Sequence, residues 1–293
     1  MNQDRNVTRR GMLAASAGVA AMAIGGSGIA RAAEEVTGGT AVTKGRIKQS
    51  VCKWCFPKQS VEQLAAEGKR MGLKAIDLLS PDQFGALKDS GLICSMTTSH
   101  PIDPGLNRKE HWDECLSKMR TSIEATAAMG WPNVICFSGN RKGMADDEGM
   151  KNCAEALKKI VGLAEEKKVT ICMELLNSKT NHHDYMCDRT EWGVGLCKMV
   201  GSERFKLLYD IYHMQIDEGD VIATIRKYHQ YLAHYHTAGV PGRNELDENQ
   251  ELNYPAIMRA IVDTGFTGFV AQEFIPKRDA MKSLEEAIRV CDV

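Results

Sequence analysis

A regular alternation of short apolar runs with longer amphipathic stretches constrains the fold most strongly. Strand-like runs span residues 46–56, 74–79, 92–99, 133–138, 169–176, 205–212, 232–238 and 267–274. Helix-like stretches alternate with them, near residues 60–71, 82–89, 110–130, 149–168, 190–200, 219–231, 254–264 and 279–291. Strict alternation predicts a parallel α/β sheet. Eight units favour a closed (β/α)8 TIM barrel over an open doubly wound sheet, and no G-x-G-x-x-G follows the first strand to indicate dinucleotide binding.

Glycines support the predicted helix boundaries. Each of five glycines sits where a helix-like stretch should stop: Gly72, Gly91, Gly130, Gly201 and Gly265. Glycine commonly ends helices because it adopts positive φ without steric cost. The boundaries of the eight units can therefore be located from the sequence.

The first residues have the pattern of an export signal. Arg9 and Arg10 precede an apolar stretch rich in Ala and Gly, and Ala30-Arg31-Ala32 offers a small-x-small cleavage site. This pattern predicts a twin-arginine signal peptide over residues 1–32, recognised by the twin-arginine export machinery, and a periplasmic or exported protein. Ser16 and Ser27 interrupt the stretch, which argues against a permanent membrane anchor. Residues 33–45 are predicted to be a flexible lead-in, and residues 46–293 a single barrel domain.

The charge balance excludes one class of partner. Residues 1–32 contain four arginines and one aspartate, so the remaining chain has 33 basic and 37 acidic residues and a formal charge of −4. It has no basic block, and nucleic acid is therefore not an expected partner. The expected partner is a small molecule, and the sequence leaves homo-oligomerisation open.

The chain has ten cysteines, a number that suggests a set of disulfides in an exported protein, but their positions argue otherwise. Most fall inside predicted strands or on apolar helix faces, where a free cysteine packs as a small hydrophobic residue. A chain that folds in the reducing cytoplasm has no need to oxidise them, although the sequence does not settle whether disulfides form. Cys52 and Cys55 form a lone C-x-x-C, for which packing in the first strand is favoured over a redox or zinc role.

Four metal-ligand side chains lie at the C-terminal ends of four successive apolar runs. They are Glu174, Asp210, His236 and Glu273. In a parallel barrel all strand C-termini meet at one rim, so these residues should converge. Two glutamates, one aspartate and one histidine suit a divalent ion such as Mn²⁺, Mg²⁺ or Co²⁺; zinc usually recruits more nitrogen or sulfur. The alternative is that each is an ordinary strand-end residue, but a carboxylate within an apolar run is costly to bury unless it is paired or bound to metal.

The segments MELLN, YDIYHMQ, HYHTAGVPGRNEL with the following ELNYPAI, and GFVAQEF resemble the hydroxypyruvate isomerase family. That family belongs to the xylose-isomerase-like barrels, which also include the ketose 3-epimerases. The resemblance covers the chain after residue 45. It implies Glu174, Asp210, His236 and Glu273 as ligands of one divalent metal. It also implies that Glu174 and Glu273 act as an acid/base pair, while His213 and Arg243 contact substrate oxygens. Hydroxypyruvate isomerases can have Gln at the third ligand position, and His236 is the epimerase-like choice.

The chemistry of a hydroxy-carbonyl isomerisation requires a metal and an acid/base carboxylate of the kind that the resemblance implies. Isomerising a 2-hydroxy carbonyl compound requires removal of a weakly acidic C–H proton, a metal that stabilises the enediolate, and a carboxylate that takes and returns the proton. Arg243 can hold a substrate carboxylate or be a surface arginine in a Gly/Pro turn. His213 can donate to a substrate oxygen or serve in packing.

Further candidates carry weaker signals. His100 closes the third strand and is a candidate substrate-binding residue, although core packing is favoured. Trp54 is a candidate for an apolar wall. His182, His183 and Asp184 form either a solvated or substrate-facing loop or a second metal site, and the loop is favoured.

The sequence leaves three functions open. The leading hypothesis is an isomerase that converts hydroxypyruvate to tartronate semialdehyde or acts on a related hydroxy-carbonyl compound. The second is a keto-sugar 3-epimerase or a keto-glycoside lyase or dehydratase. The third is a non-catalytic periplasmic binding barrel, which would not need two acid/base groups beside a metal.

Overall fold

The computed structural model describes residues 40–293. The predicted signal peptide and the first part of the predicted lead-in lie outside the described residues. The strands are β1 Lys48–Cys52, β2 Ala75–Asp77, β3 Ile93–Cys94, β4 Asn133–Cys136, β5 Thr170–Leu175, β6 Phe205–Asp210, β7 Leu232–Thr237 and β8 Phe269–Gln272. They form a parallel sheet in the order β3-β2-β1-β8-β7-β6-β5-β4.

The two edges of this sheet meet through Thr97, which follows β3. Thr97 forms isolated parallel bridges with Leu79 and with Val134 of β4. Its carbonyl accepts from the backbone N–H of Ile135 at 2.9 Å. The predicted (β/α)8 TIM barrel is therefore confirmed.

The helices surround the sheet. They are α1 Val61–Met71, α2 Trp112–Ala128, α3 Asp146–Lys158, α4 Val161–Lys167, α5 Thr190–Val200, α6 Ile211–Asp217, α7 Val221–Tyr228, α8 Tyr254–Asp263 and α9 Ala280–Cys291. Short 3₁₀ segments cover Lys53–Cys55, Pro81–Leu87, Lys109–His111 and His229–Tyr231. All five glycines predicted to stop helices have positive φ, between 68° and 98°.

The structure departs from the sequence expectations at three places. The stretch 149–168 is two helices, because the backbone of the buried Ile160 leaves the helical region at φ −120°. The stretch 82–89 is a 3₁₀ helix that begins at a capping box between Ser80 and Gln83. Helix α6 was not predicted, and it starts directly after β6 because Asp210, the last strand residue, caps it.

All ten cysteines are free and buried, as the packing interpretation predicted.

The described part of the lead-in, residues 40–45, is hydrogen-bonded to the barrel rather than a free linker. Asp292 accepts from the backbone N–H groups of Thr43, Lys44 and Gly45 at 2.6–2.8 Å. Within residues 40–293, no helix is both long and apolar enough to cross a membrane.

Alternation along the strands directs one set of side chains into the barrel. Met96, Ile135, Cys172 and Leu208 form a small buried cluster separate from the large core cluster. Cys172 and Leu208 each precede a candidate ligand, Glu174 or Asp210, by two residues, so strand periodicity places both ligands on the same inward face. The barrel interior is therefore apolar in its middle and acidic at its C-terminal end.

Candidate metal centre

The four predicted ligands come together at the C-terminal rim. One potential ligand atom from each of Glu174, Asp210, His236 and Glu273 lies within 4.8 Å of each of the others. All four side chains are buried, with at most 5 % of their surface exposed. Their strands, β5 to β8, are consecutive neighbours in the sheet. The convergence expected from strand ends is therefore present.

His236 lies at the centre of the cluster without a conventional hydrogen bond on one side. Its Nδ1 atom lies 2.8 Å from Oε2 of Glu273 and 3.3 Å from Oε1 of Glu174. Yet Nδ1 of His236 and Oε1 of Glu174 are buried and have no hydrogen-bond partner of acceptable geometry among residues 40–293. Buried polar atoms are normally satisfied. Two buried acceptor atoms that face each other at 3.3 Å without a donor form an arrangement that a cation can satisfy.

The charge of the cluster also fits a divalent ion. Its three carboxylates face one guanidinium, that of Arg243, whose Nη2 lies 2.6 Å from Glu273 and 3.4 Å from Asp210. With His236 neutral and all three carboxylates ionised, two negative charges remain uncompensated, in a site where uncompensated charge is expensive. The oxygen-rich donor set with one imidazole suits Mn²⁺, Mg²⁺ or Co²⁺.

Burial and neighbouring charges shift the pKa values of the three carboxyl groups in different directions. Burial, reinforced by the neighbouring carboxylates, raises the pKa of Asp210 to about 8. Burial and the nearby Glu273 also raise the pKa of Glu174. Burial acts on Glu273 too, but His236 and Arg243 outweigh it and hold its pKa well below the usual range. The pKa values of the two glutamates are thus shifted in opposite directions.

Two aromatic rings hold the guanidinium of Arg243 in place, and the backbone of this residue is strained. Its guanidinium carbon lies 5.2 Å from the Trp54 ring centre and 5.4 Å from that of Tyr212, within cation–π range. Its φ of +59° is in the left-handed region, which non-glycine residues adopt at some cost. Trp54 was predicted as an apolar wall, but its indole N–H also donates to Oε1 of Glu273 at 2.8 Å.

His213 is fixed by Asn177. The Oδ1 atom of Asn177 accepts from Thr180 and Asn181, so its amide nitrogen faces Nδ1 of His213 at 2.6 Å. Burial, followed by the charge of Arg243, lowers the pKa of His213, which favours the neutral ring. With Nδ1 accepting, Nε2 bears the hydrogen. This N–H is buried without a hydrogen-bond partner within residues 40–293, 3.6 Å from Asp210.

Asp77 was missed by the sequence analysis. It ends β2 in the apolar run KAIDLL, and its side chain is fully buried. Its Oδ2 atom lies 2.9 Å from Nε2 of His236, on the side of the ring that faces away from Glu174 and Glu273. Its signal was the same as that of Glu174, a carboxylate inside an apolar run, and it could have been found on that basis.

A cavity of about 350 Å³ opens onto the cluster. It is lined by Trp54, Leu78, Thr98, His100, Ile102, Ile135, Phe137, Glu174, Leu176, His182, Arg243 and Glu273. His100 thus lies on the cavity wall, where its Nδ1 lies 2.9 Å from the Pro101 carbonyl oxygen. Burial lowers its pKa to about 4, so the ring is neutral at pH 7. Apart from the charged groups at the floor, the wall is largely apolar.

The remaining candidates separate in space. His182 lines the cavity, whereas His183 and Asp184 are exposed. Neither potential metal-ligand grouping within residues 40–293 includes this loop. Burial raises the pKa of Cys52 and of Cys55, so neither favours the reactive thiolate.

The fold and the site together define an α/β barrel whose acidic rim is a candidate metal site. Residues 61–292 match the family model described as the xylose isomerase-like TIM barrel, and the chain belongs to this family.

Curated relatives and solved structures extend this assignment. A human protein provisionally named as a hydroxypyruvate isomerase is 27% identical over 255 residues, which is 79% of this chain and 90% of that protein. A 2-oxo-tetronate isomerase of Cupriavidus necator is 34% identical over 114 residues, 39% of this chain and 43% of its own length. Among structures, a family 2 AP endonuclease from Brucella melitensis superposes with a TM-score of 0.74 at 21% identity, over 81% of this chain and 97% of its own. A 3-keto-D-glucoside 4-epimerase from E. coli gives 0.71 at 16% identity, over 84% and 100%. These two structural likenesses show the fold.

Proposed function

We propose that this protein is a divalent-metal-dependent isomerase of small hydroxy-carbonyl acids, with hydroxypyruvate to tartronate semialdehyde as the leading reaction. The observation that carries the proposal is the convergence of Glu174 and Glu273 on one ligand set at the floor of a cavity. The relatives named as isomerases of hydroxypyruvate and of 2-oxo-tetronate support the reaction class.

Glu174, Asp210, His236 and Glu273 would hold the metal. When bound there, a divalent ion supplies Lewis-acid stabilisation of negative charge that develops on the substrate oxygens.

The two glutamates would move the proton. Strands β5 and β8 are separated in the sheet by β6 and β7, so Glu174 and Glu273 enter the cavity floor from different sides. One carboxylate removes the proton from the hydroxyl-bearing carbon, which gives an enediolate. The proton is then returned to the neighbouring carbon, and the hydroxyl proton moves between the two oxygens. Atoms and charge balance without a further reactant.

His213 and Arg243 would orient the substrate. His213 is buried and is not among the residues that line the cavity, but its Nε2–H has no acceptor within hydrogen-bonding distance in the described chain and would donate to a substrate oxygen bound at the rim cluster. Arg243 lines the cavity and uses Nη2 and Nε for its contacts with Asp210 and Glu273. Its Nη1 group can therefore donate to a substrate carboxylate.

Proton exchange tests this proposal directly. Purified protein loaded with Mn²⁺ is incubated in D₂O with hydroxypyruvate, free ketoses or 3-keto-glycosides, and NMR is recorded after the metal is chelated. Deuterium incorporation with formation of tartronate semialdehyde is expected from hydroxypyruvate. If none of these compounds incorporates deuterium although the metal is bound, the isomerase is excluded and the binding barrel is favoured.

A second function, epimerisation of keto-sugars or action on keto-glycosides, is favoured by the cavity wall. Leu78, Ile102, Ile135, Phe137 and Leu176 give this cavity of about 350 Å³ an apolar wall, which a small and mostly polar acid does not require. Exchange confined to ketoses or 3-keto-glycosides in the same NMR experiment would select this function.

Export in the folded, metal-loaded state is proposed from the sequence of residues 1–32. Replacing Arg9 and Arg10 with lysine should leave precursor in the cytoplasm. Unchanged export of the variant would point to another route.

A further inference from the structure

Asp77 is a buried carboxylate surrounded by potential hydrogen-bond donors. It ends β2 beside β1, with Cys52 as its register partner. Its Oδ1 atom accepts a hydrogen bond from the hydroxyl of Ser95. Its Oδ2 atom lies 2.9 Å from Nε2 of His236, 3.2 Å from Nε2 of His234 and 3.6 Å from the sulfur of Cys52.

These contacts fix which nitrogen of His236 bears hydrogen. An ionised carboxylate only accepts hydrogen bonds, so Nε2 of His236 must donate to Asp77. In a neutral imidazole the other nitrogen then presents its lone pair. That atom, Nδ1, is the one that faces Glu174 and Glu273 across 3.3 Å and 2.8 Å.

Two uses of His236 compete in this arrangement. Nδ1 belongs to the rim cluster, whereas Nε2 belongs to a deeper group with Cys52 and Asp77 that also has metal-ligand spacing. The ring cannot donate its Nε2–H to Asp77 and bind a metal through Nε2 at the same time. Asp77 therefore decides which side of the ring is available.

We propose that Asp77 is a positioning residue that holds His236 in the Nε2–H tautomer, directs Nδ1 to the rim cluster and thereby raises the affinity of that cluster for a divalent cation. This inference rests on the proposed metal site. Loss of a hydrogen-bonding partner behind a metal-binding histidine typically costs about 10–100-fold in metal affinity.

The test compares Asp77→Asn with the wild-type protein and with Asp292→Asn. Asp292 is the matched control because it is also a buried carboxylate that accepts several hydrogen bonds, but its partners are Thr43, Lys44 and Gly45 in the lead-in. Affinity for Mn²⁺ is measured by calorimetry, and circular dichroism confirms folding of each variant. Asp77→Asn should weaken Mn²⁺ binding about 10–100-fold, and Asp292→Asn should leave it unchanged. Equal affinity in all three proteins, or an equal loss in both variants, would overturn the proposal.

A measurement without metal keeps the inference independent of the proposed function. Nitrogen-15 NMR of the metal-free wild-type protein should show His236 with hydrogen on Nε2, and Asp77→Asn should shift this tautomer population. If the wild-type protein binds no metal yet shows the Nε2–H tautomer that Asp77→Asn perturbs, the metal site fails while the positioning contact stands. A wild-type ring with hydrogen on Nδ1 and none on Nε2 would overturn the positioning role itself.

Cobalt reports on the competing deeper site. Co²⁺-loaded protein should lack a thiolate-to-cobalt charge-transfer band, and Cys52→Ser should leave the visible spectrum unchanged. A thiolate band that disappears in Cys52→Ser would place the ion on the Asp77 side of His236 and overturn the proposal.

Discussion

The rim cluster and Asp292 are two buried acidic sites that the chain treats in opposite ways. Asp292 accepts hydrogen bonds from three backbone N–H groups and from the hydroxyl of Thr43, so both its oxygens are satisfied locally. At the rim, three carboxylates face one another across a histidine, and Glu174 Oε1 and His236 Nδ1 lack proper partners within the described chain. A satisfied buried charge stabilises a fold, whereas converging unsatisfied ones mark a site that needs a ligand.

The largest expected effect lies in the proton-moving groups of the rim. Glu174→Gln and Glu273→Gln each keep the size of the side chain and one ligating oxygen but remove its basicity. Each should lower turnover by about 10²–10⁴-fold while appreciable metal is retained. Deuterium incorporation and metal content are measured on the same samples. Near wild-type exchange in both variants would leave metal binding as their supported role.

The next effect concerns metal retention. His236→Ala removes the imidazole that lies between Glu174 and Glu273. We expect the loss of Mn²⁺ affinity to be at least the roughly 10–100-fold cost of losing an outer partner. Elemental analysis and calorimetry check this, with Asp292→Asn as the control. Equal metal content in His236→Ala and wild type would count against the site.

A smaller effect is expected at the satisfied site, and it should appear in stability rather than turnover. Asp292→Asn replaces an acceptor of four hydrogen bonds with a neutral amide. It should lower the free energy of unfolding by about 1–3 kcal/mol, as for other buried polar groups left imperfectly paired. Denaturant titration measures it. A loss of turnover without a loss of stability would erase the distinction between the two sites.

The smallest effect is a pH dependence of that stability. Burial disfavours ionised Asp292, but the N–H groups of Lys44, Gly45 and Thr43 outweigh it and lower its pKa. A lowered folded-state pKa gives stability that is present above the unfolded value of about 3.9 and is lost as pH falls through the folded value. Between about pH 4 and pH 2, wild type should therefore lose part of its stability advantage over Asp292→Asn. Parallel curves for the two proteins would show that Asp292 has no such role.

The sequence predicted the architecture and the convergence of the four rim residues because both depend on local patterns. Alternating strands and helices determine where strand ends meet, and Glu174 and Glu273 are conspicuous inside apolar runs. Asp77 has the same local signal in β2, but its contact with His236 forms only when the barrel closes and brings β2 opposite β7. The Asn177–His213 contact and the indole N–H of Trp54 on Glu273 depend on loop geometry. Such contacts between distant segments have no periodic signal in the sequence.

The direct passage from β6 into α6 makes Asp210 serve two purposes. Its Oδ1 accepts from the backbone N–H of His213 and begins the helix, while its Oδ2 belongs to the rim. Asparagine at position 210 would still cap helix α6 but would be a weaker ligand in the proposed metal site. Glutamate would keep the negative charge, but its longer side chain would place the carboxylate badly for capping the helix. Substitutions of Asp210 are therefore limited twice, by the start of helix α6 and by the proposed metal site. A saturation library at this position should therefore yield fewer survivors than one at Glu174, where folding does not depend on the side chain in the same way.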